Sequence, residues 1–260
     1  MKDAGLFLTV NATTALGSFR MAVRSPDFVS ARLQRAGFWE VRHPDEITML
    51  ADRTAPVGDG VFIDIGGNLG WHTFLFAQFG YKVYTIEAMP ENVKVMSATM
   101  CLNPELAARI TLIPKAIGNG STCLLRTYFE GDSNGELLCG PNADCHQCGA
   151  QRCATRQCQP VQSAPLDDIL SNHLPLVRAS RQRPVIVKID IEGSECNAFA
   201  TGQSLFTRIR PDFVQVEGLN LRTRACIHEQ ARLHDYEIGK RFGHDHNTIM
   251  ARKHRPHDAE

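Results

Sequence analysis

The stretch that most constrains this chain is Val61-Phe62-Ile63-Asp64-Ile65, followed by Gly66-Gly67-Asn68-Leu69-Gly70. A short apolar run rich in β-branched residues reads as a buried parallel strand. The three glycines crowd a turn, and the apolar segment from Trp71 onward reads as a helix. Strand, glycine turn and helix together present backbone N–H groups to a nucleotide-like ligand at the edge of an α/β sheet. The pattern is D-x-G-x-N-x-G, whereas a dinucleotide fingerprint reads G-x-G-x-x-G. The acid inside the pattern would repel a pyrophosphate and suits a cationic or hydroxyl-rich ligand such as S-adenosylmethionine. An ordinary tight βα loop is the bland alternative for the turn taken alone.

The next segment favours the ligand. Lys82-Val83-Tyr84-Thr85-Ile86-Glu87 reads as a second strand ending in an acid. Glu87 stands about 20 residues past the turn, where a carboxylate accepts hydrogen bonds from ribose hydroxyls. Pro90-Glu91-Asn92 then opens a helix with Pro and Glu in its first turn.

With these residues the chain resembles the FkbM-type methyltransferases, a branch of the class I S-adenosylmethionine-dependent enzymes. The matching stretches are Phe62 to Thr73, Thr85 to Asn92, Pro114 to Gly118, Pro165 to Leu170 and Val187 to Glu195. Asp27 to Ser30 and Gly37 to Glu40 also match, so the resemblance runs from Asp27 to Ala251. Two departures stand out: Gly67 takes a place where alanine is usual, and Ala88-Met89 separate Glu87 from Pro90. Residues 130–160 fit no pattern of the family. The resemblance implies a single doubly wound α/β domain with a mostly parallel, seven-stranded Rossmann-like sheet whose last strand is reversed. It also makes residues 1–43 a lid over the cofactor, with Trp39 and Glu40 facing it. A packed N-terminal extension with Trp39 in the core is the competing reading. Residues 44–260 form the methyltransferase domain.

The remaining pattern agrees with an α/β sheet. Ile110–Ile113, Val185–Asp190 and Phe213–Glu217 read as further strands, and Glu91–Leu102, Ser194–Phe206 and Arg222–Leu233 as helices. Phe28–Ala36 reads as a helix capped by Ser25 or Asp27, and Pro44–Ala51 as another helix. Cys123–Phe129 suggests a strand and Val161–Ser163 an edge strand. Tyr236–Arg241 and Thr248–Arg252 read as a closing antiparallel pair. Alternating strands and helices of this length give a parallel sheet covered on both faces.

Composition excludes several functions. The 28 basic and 28 acidic residues balance, so no global field holds nucleic acid or an anionic membrane. No apolar run approaches the length of a membrane span, and the N-terminus shows no secretory leader; both point to the cytoplasm. Asn11-Ala-Thr13 and Asn119-Gly-Ser121 match glycosylation sequons, which also arise by chance.

Methyl transfer from a sulfonium asks for alignment and for removal of one proton. The candidate catalytic residues are therefore acids at strand ends: Asp190, Glu192 and Glu217. Asp190 is also a candidate for the cofactor's amino group. With it, the cofactor-binding set is Asp64, Gly66, Gly67, Asn68, Gly70, Glu87 and Ala116. Glu195 reads as a carboxylate favoured at a helix N-terminus, and His72 as a satisfied helix residue. No G-x-S-x-G and no P-loop occurs. Asn/Asp-Pro-Pro-aromatic is missing too, which argues against base amino groups as substrate.

Cys139, Cys145, Cys148, Cys153 and Cys158 cluster inside the stretch at 130–160. Cys145-His-Gln-Cys148 has the C-x-x-C spacing that lets two thiolates share a metal. Four of the five would hold a structural zinc, with disulfides and free thiols as the alternatives. Cys101, Cys123, Cys196 and Cys226 read as isolated thiols. The expected function is S-adenosylmethionine-dependent O-methylation of a hydroxyl on a sugar or other small metabolite. The O-methyl preference comes from the resemblance. The competing readings are a non-catalytic scaffold of the same fold and a nicotinamide-dependent oxidoreductase.

Overall fold

The computed structural model describes residues 7–48, 58–140, 158–175, 177, 183–218, 220–239 and 247–253. The chain opens on a hairpin, β1 (Leu8–Thr14) and β2 (Gly17–Val23), paired antiparallel. Helix α1 (Phe28–Ala36) follows, capped by Asp27, whose Oδ2 accepts from Ser30 N at 2.6 Å. It stops at Gly37, whose φ of 77° is a left-handed C-cap. Helix α2 (Asp45–Thr48) is one turn. The core begins with β3 (Val61–Ile65), α3 (Trp71–Gln78), β4 (Lys82–Ile86), α4 (Pro90–Leu102), α5 (Pro104–Ala107) and β5 (Ile110–Ile113). Strands β6 (Ala116–Ile117), β7 (Thr122–Thr127), β8 (Gly135–Leu138) and β9 (Cys158–Ala164) come next. The chain then makes α6 (Leu166–His173), β10 (Val185–Ile189), α7 (Glu195–Thr201), a π-helical turn (Leu205–Ile209) and β11 (Phe213–Glu217). It closes with α8 (Leu221–Leu233), β12 (Tyr236–Ile238) and β13 (Asn247–Arg252).

The central sheet has seven strands in the order β12-β13-β11-β10-β3-β4-β5. It is mixed: β11, β10, β3, β4 and β5 pair parallel, while β13 is antiparallel to both its neighbours. Side chains alternate between the two faces as strand geometry requires. Val185, Val187 and Ile189 pack with α6, α7 and α8, whereas Phe62, Val83 and Ile186 pack toward α3 and α4. Sheet order reverses between β3 and β10, and that switch point opens the ligand crevice of an open α/β sheet.

Helix α3 shows why the N-terminal hairpin exists. Trp71 through Ala77 are all buried, so the helix is apolar all round. Such a helix needs cover on both sides. The sheet gives one side through Phe62. The hairpin gives the other: Phe19 lies 6.2 Å from the Trp71 ring and 5.9 Å from that of Phe74. Thr99 Oγ1 accepts from Ala22 N at 3.0 Å, fastening β2 to α4. The N-terminal segment is thus a packed layer, and Trp39 is partly buried against the same cluster.

Of the stretch that fitted no pattern, residues 135–138 and 158–160 join a second sheet, β6-β9-β7-β8. In it β9 runs between β6 and β7, so the expected edge strand at Val161–Ser163 is internal. Its alternating burial, with Val161 and Ser163 buried, fits that position. The zinc expectation is corrected here. Cys139 is disulfide-bonded to Cys123 across β7 and β8, at 4.5 Å between Cα atoms, and Cys158 is also disulfide-bonded. A sulfur in a disulfide has no thiolate to give a metal. Cys145, Cys148 and Cys153 lie outside the described residues, among which no group fit to hold a metal occurs. Cys196 and Cys226, expected as isolated thiols, join α7 to α8. Cys101 alone is free among the described cysteines. Among the described residues no helix is long and apolar enough to cross a membrane.

Candidate active site

The glycine turn after β3 is held from both neighbouring strands. Gly66 N and Gly67 N donate to Ile86 O at 2.9 and 3.2 Å, and Asp190 N donates to Ile65 O at 2.9 Å. Gly66 has a φ of 88°, and a Cβ there would lie 1.8 Å from Asp190 O. No other residue fits between the turn and the end of β10. Asn68 is also left-handed, at φ 51°. Its Oδ1 accepts from Leu69 N, and its Nδ2 donates to Asn134 Oδ1 at 2.5 Å.

Two cavities open at this crevice. The first encloses about 670 Å³, part of it open to solvent, and is lined by Ile86, Glu87, Ala116, Ile117, Leu125 and Leu137 among others. The second, about 770 Å³ on the same measure, is lined by Trp39, Glu40, Trp71, His72, Lys188 and Glu217 among others. Gly66, Asn68, Asn134, Asp190 and Glu192 line both. The two spaces therefore meet over the glycine turn.

Glu87 closes the end of the first cavity. It is 7% exposed. Oε2 accepts from Asn68 N at 2.7 Å, and Oε1 accepts from Met89 N at 2.8 Å and Asn92 Nδ2 at 3.4 Å. Burial pushes its carboxyl up to about 7 against the pull of these bonds. A carboxylate has about four acceptor positions; three are taken, so one ribose hydroxyl can still bond it. The apolar slot formed by Ile86, Ala116, Ile117, Leu125 and Leu137 fits a purine.

Not every expected cofactor residue reaches this space. Asp64 lines neither cavity and is 1% exposed. It sits beneath the turn, where its Oδ2 accepts from Thr73 Oγ1 at 2.7 Å, and Thr73 Oγ1 lies 2.8 Å from Thr85 Oγ1. Gly67 lines the second cavity only. A Cβ at Gly67 would lie 2.3 Å from Thr85 Cγ2, so this glycine matches the threonine beside it. Gly70 lines neither cavity and caps α3 at φ 94°. Ala116 lines the first cavity.

The three expected catalytic acids do converge. Asp190 ends β10 and pairs with the buried Lys188 at 2.8 Å. Burial would raise Asp190, but the Lys188 ammonium holds it below the usual carboxylate range. Lys188 in turn is held charged: burial opposes this, and Asp190, Asp64 and Glu40 outweigh it. Glu217 ends β11 and lines the second cavity. Burial, the Asp190 charge and a hydrogen bond to Asp190 raise it to about 10, so it carries a proton at neutral pH. Glu192 sits on the next turn at φ 53°, a strained conformation for a residue with a side chain. Burial and the Asp190 charge push it up to about 7, against a hydrogen bond of 2.9 Å from Tyr128 Oη to its Oε2. Glu195 is fully buried and shapes this turn, its Oε1 accepting from Ile191 N and Gly193 N at 3.1 Å each.

Sequence reasoning missed several site residues. His72, read as a satisfied helix residue, has its Nε2 3.3 Å from Glu40 Oε2 in the wall of the second cavity. Glu40 is itself left-handed at φ 53°. Burial would raise Glu40, but its hydrogen bond to His72 holds it low. Ser133, Asn134 and Leu137 come from the stretch that fitted no pattern, and Tyr128 stands just before it. The amide of Asn92 donates to Ser133 O at 2.8 Å, which lays this flap over the first cavity.

The chain matches the model of the methyltransferase FkbM domain over residues 64–250. No curated protein matches. Among solved structures it is similar to methyltransferase FkbM from Methylobacillus flagellatus KT, at 17% identity and a TM-score of 0.49. That alignment covers 76% of this chain and 44% of the bacterial one, so this chain spans less than half of that protein. It is also similar to precorrin-6y C5,15-methyltransferase from Geobacter metallireducens GS-15, at 13% identity, TM-score 0.44, over 84% of this chain and 91% of that one. The METTL16 methyltransferase domain aligns at 12% identity, TM-score 0.46, over 88% of this chain and 69% of that one. The family assignment rests on the match over residues 64–250, most of the chain: this protein belongs to the methyltransferase FkbM domain family.

Proposed function

We propose that the protein transfers a methyl group from S-adenosylmethionine to a hydroxyl of a sugar or similar small metabolite. The observation that carries this reading is the pair of cavities joined over one glycine turn, with Asp190 and Glu192 in both walls. Such an arrangement holds two substrates so that their reacting atoms meet at the junction. The bound cofactor would supply a methyl group already activated on a sulfonium.

The chain's own residues divide the remaining work. Glu87 accepts from a ribose hydroxyl, and the carboxylate of Asp190, kept charged by Lys188, accepts from the cofactor's amino group. Glu192 takes the acceptor's proton. Its pKa of about 7 suits a base working near neutrality. Tyr128 occupies Oε2 and orients the carboxylate. Trp39 and Trp71 give the second cavity flat apolar walls beside Glu40, His72 and Glu217. Aromatic faces beside hydrogen-bonding groups suit the apolar and hydroxyl faces of a sugar ring.

The test is a screen of monosaccharides and their glycosides with methyl-labelled S-adenosylmethionine, followed by Glu192→Gln on any substrate found. The variant should keep cofactor affinity and lose about 100- to 10,000-fold in kcat. Full turnover in the variant would remove Glu192 as base. Label appearing only in amines would overturn the O-methyl reading.

A further inference from the structure

One sequence feature has no place in the active site. Asn119-Gly-Ser121 matches a glycosylation sequon and sits in the turn between β6 and β7. Asn119 and Gly120 are exposed and line neither cavity. Asn119 Oδ1 accepts from Ser121 N at 3.2 Å and from Ser121 Oγ at 2.6 Å, which brings amide and hydroxyl of the sequon together. Gly120 has a φ of 92°, and a Cβ there would meet nothing within 4 Å, so the turn projects into open space.

The second observation is independent. Cys123–Cys139 and Cys196–Cys226 are disulfides, Cys158 is disulfide-bonded, and Cys101 alone is free among the described cysteines. Stable disulfides in this number belong to an oxidising compartment. Compartments that oxidise thiols in secreted proteins are also where asparagine sequons are modified. One of the disulfides begins two residues after Ser121, at Cys123.

We propose that the chain matures in an oxidising compartment and carries an N-linked oligosaccharide at Asn119. The donor is an oligosaccharide on a polyprenyl diphosphate, transferred by a separate enzyme. Asn119 Nδ2 forms a bond to the anomeric carbon of the sugar. The bond from that carbon to the diphosphate oxygen breaks, the lipid diphosphate leaves with the electron pair, and the amide loses one proton. The glycan leaves both cavities open, since Asn119 lines neither.

The test uses protein purified from its own cells. It is alkylated without reduction, digested, and treated with a peptide-N-glycosidase in heavy-oxygen water. The expected result is a labelled aspartate at 119, with Cys123, Cys139, Cys196 and Cys226 unalkylated. Asn119→Gln and Ser121→Ala, made separately in the same cells, should each remove one glycan's mass; two variants guard against one that misfolds. Recovery of the 119 peptide only as unmodified asparagine, or glycan confined to Asn11, would overturn the proposal.

Discussion

At the scale of single residues, burial decides what each acid can do. Glu87 is a structural tie inside the first cavity: it accepts from the amides of Asn68 and Met89. Glu87→Ala should therefore weaken S-adenosylhomocysteine binding by about 2–4 kcal/mol and lower folding stability by about 1–3 kcal/mol. Calorimetry and urea melts measure the two. Ribose hydroxyls favour the ionised form, so binding must expel the proton that Glu87 holds below about pH 7. Affinity should rise roughly tenfold between about pH 6 and pH 8, and Glu87→Gln should flatten that rise. Glu217 gives the opposite kind of signal, in stability. Its folded pKa, about 10, lies above the ordinary 4.5, so its contribution is intact below 4.5 and lost as pH rises toward 10. Glu217→Gln should raise the melting temperature at pH 8 to 9 and change it little near pH 4, as calorimetric scans would show. A lower melting temperature at pH 8 would contradict the protonated state.

At the scale of elements, what was legible followed from short-range pattern. The strand ending in Ile65, the glycine turn, the strand ending in Ile86 and the helix from Pro90 all stand within a residue or two of their expected places. The convergence of Asp190, Glu192 and Glu217 was legible too, because strand ends at a switch point face one crevice. Asp64 was misplaced because its spacing in the motif says nothing of which sheet face it takes. In register it stands beside Lys188 and Thr85 on a buried polar row. The hairpin β1–β2 carries few turn signals; its trace in the sequence was the all-round apolarity of α3. The flap at Ser133–Leu138 was unreadable because its contacts to Asn68 and Asn92 span more than 40 residues. Cys123–Cys139 ties this flap to β7. Mild reduction, or Cys123→Ala with Cys139→Ala, should loosen the flap and weaken cofactor binding by about 5- to 30-fold, a cost of roughly 1–2 kcal/mol. Unchanged affinity after verified reduction would show that the flap holds without it.

At the scale of the molecule, a seven-stranded mixed sheet sets the crevice where β3 meets β10, and the layers around it supply the walls. The parallel core brings Glu87, Asp190 and Gly66 to the wall of the first cavity. The N-terminal layer contributes Trp39 and Glu40 to the second cavity, and the smaller sheet covers the first through Leu125 and Leu137. The walls outside the parallel core thus come from the N-terminal layer and the smaller sheet, which fits the general division between scaffold and loops. The central claim is that the first cavity is built for S-adenosylmethionine. Titration calorimetry of the intact protein with S-adenosylhomocysteine, beside NAD, tests it most directly. The account predicts saturable one-to-one binding of S-adenosylhomocysteine, weakened in Glu87→Ala, and no heat with NAD. Absence of binding at millimolar S-adenosylhomocysteine, or binding of NAD in its place, would contradict it.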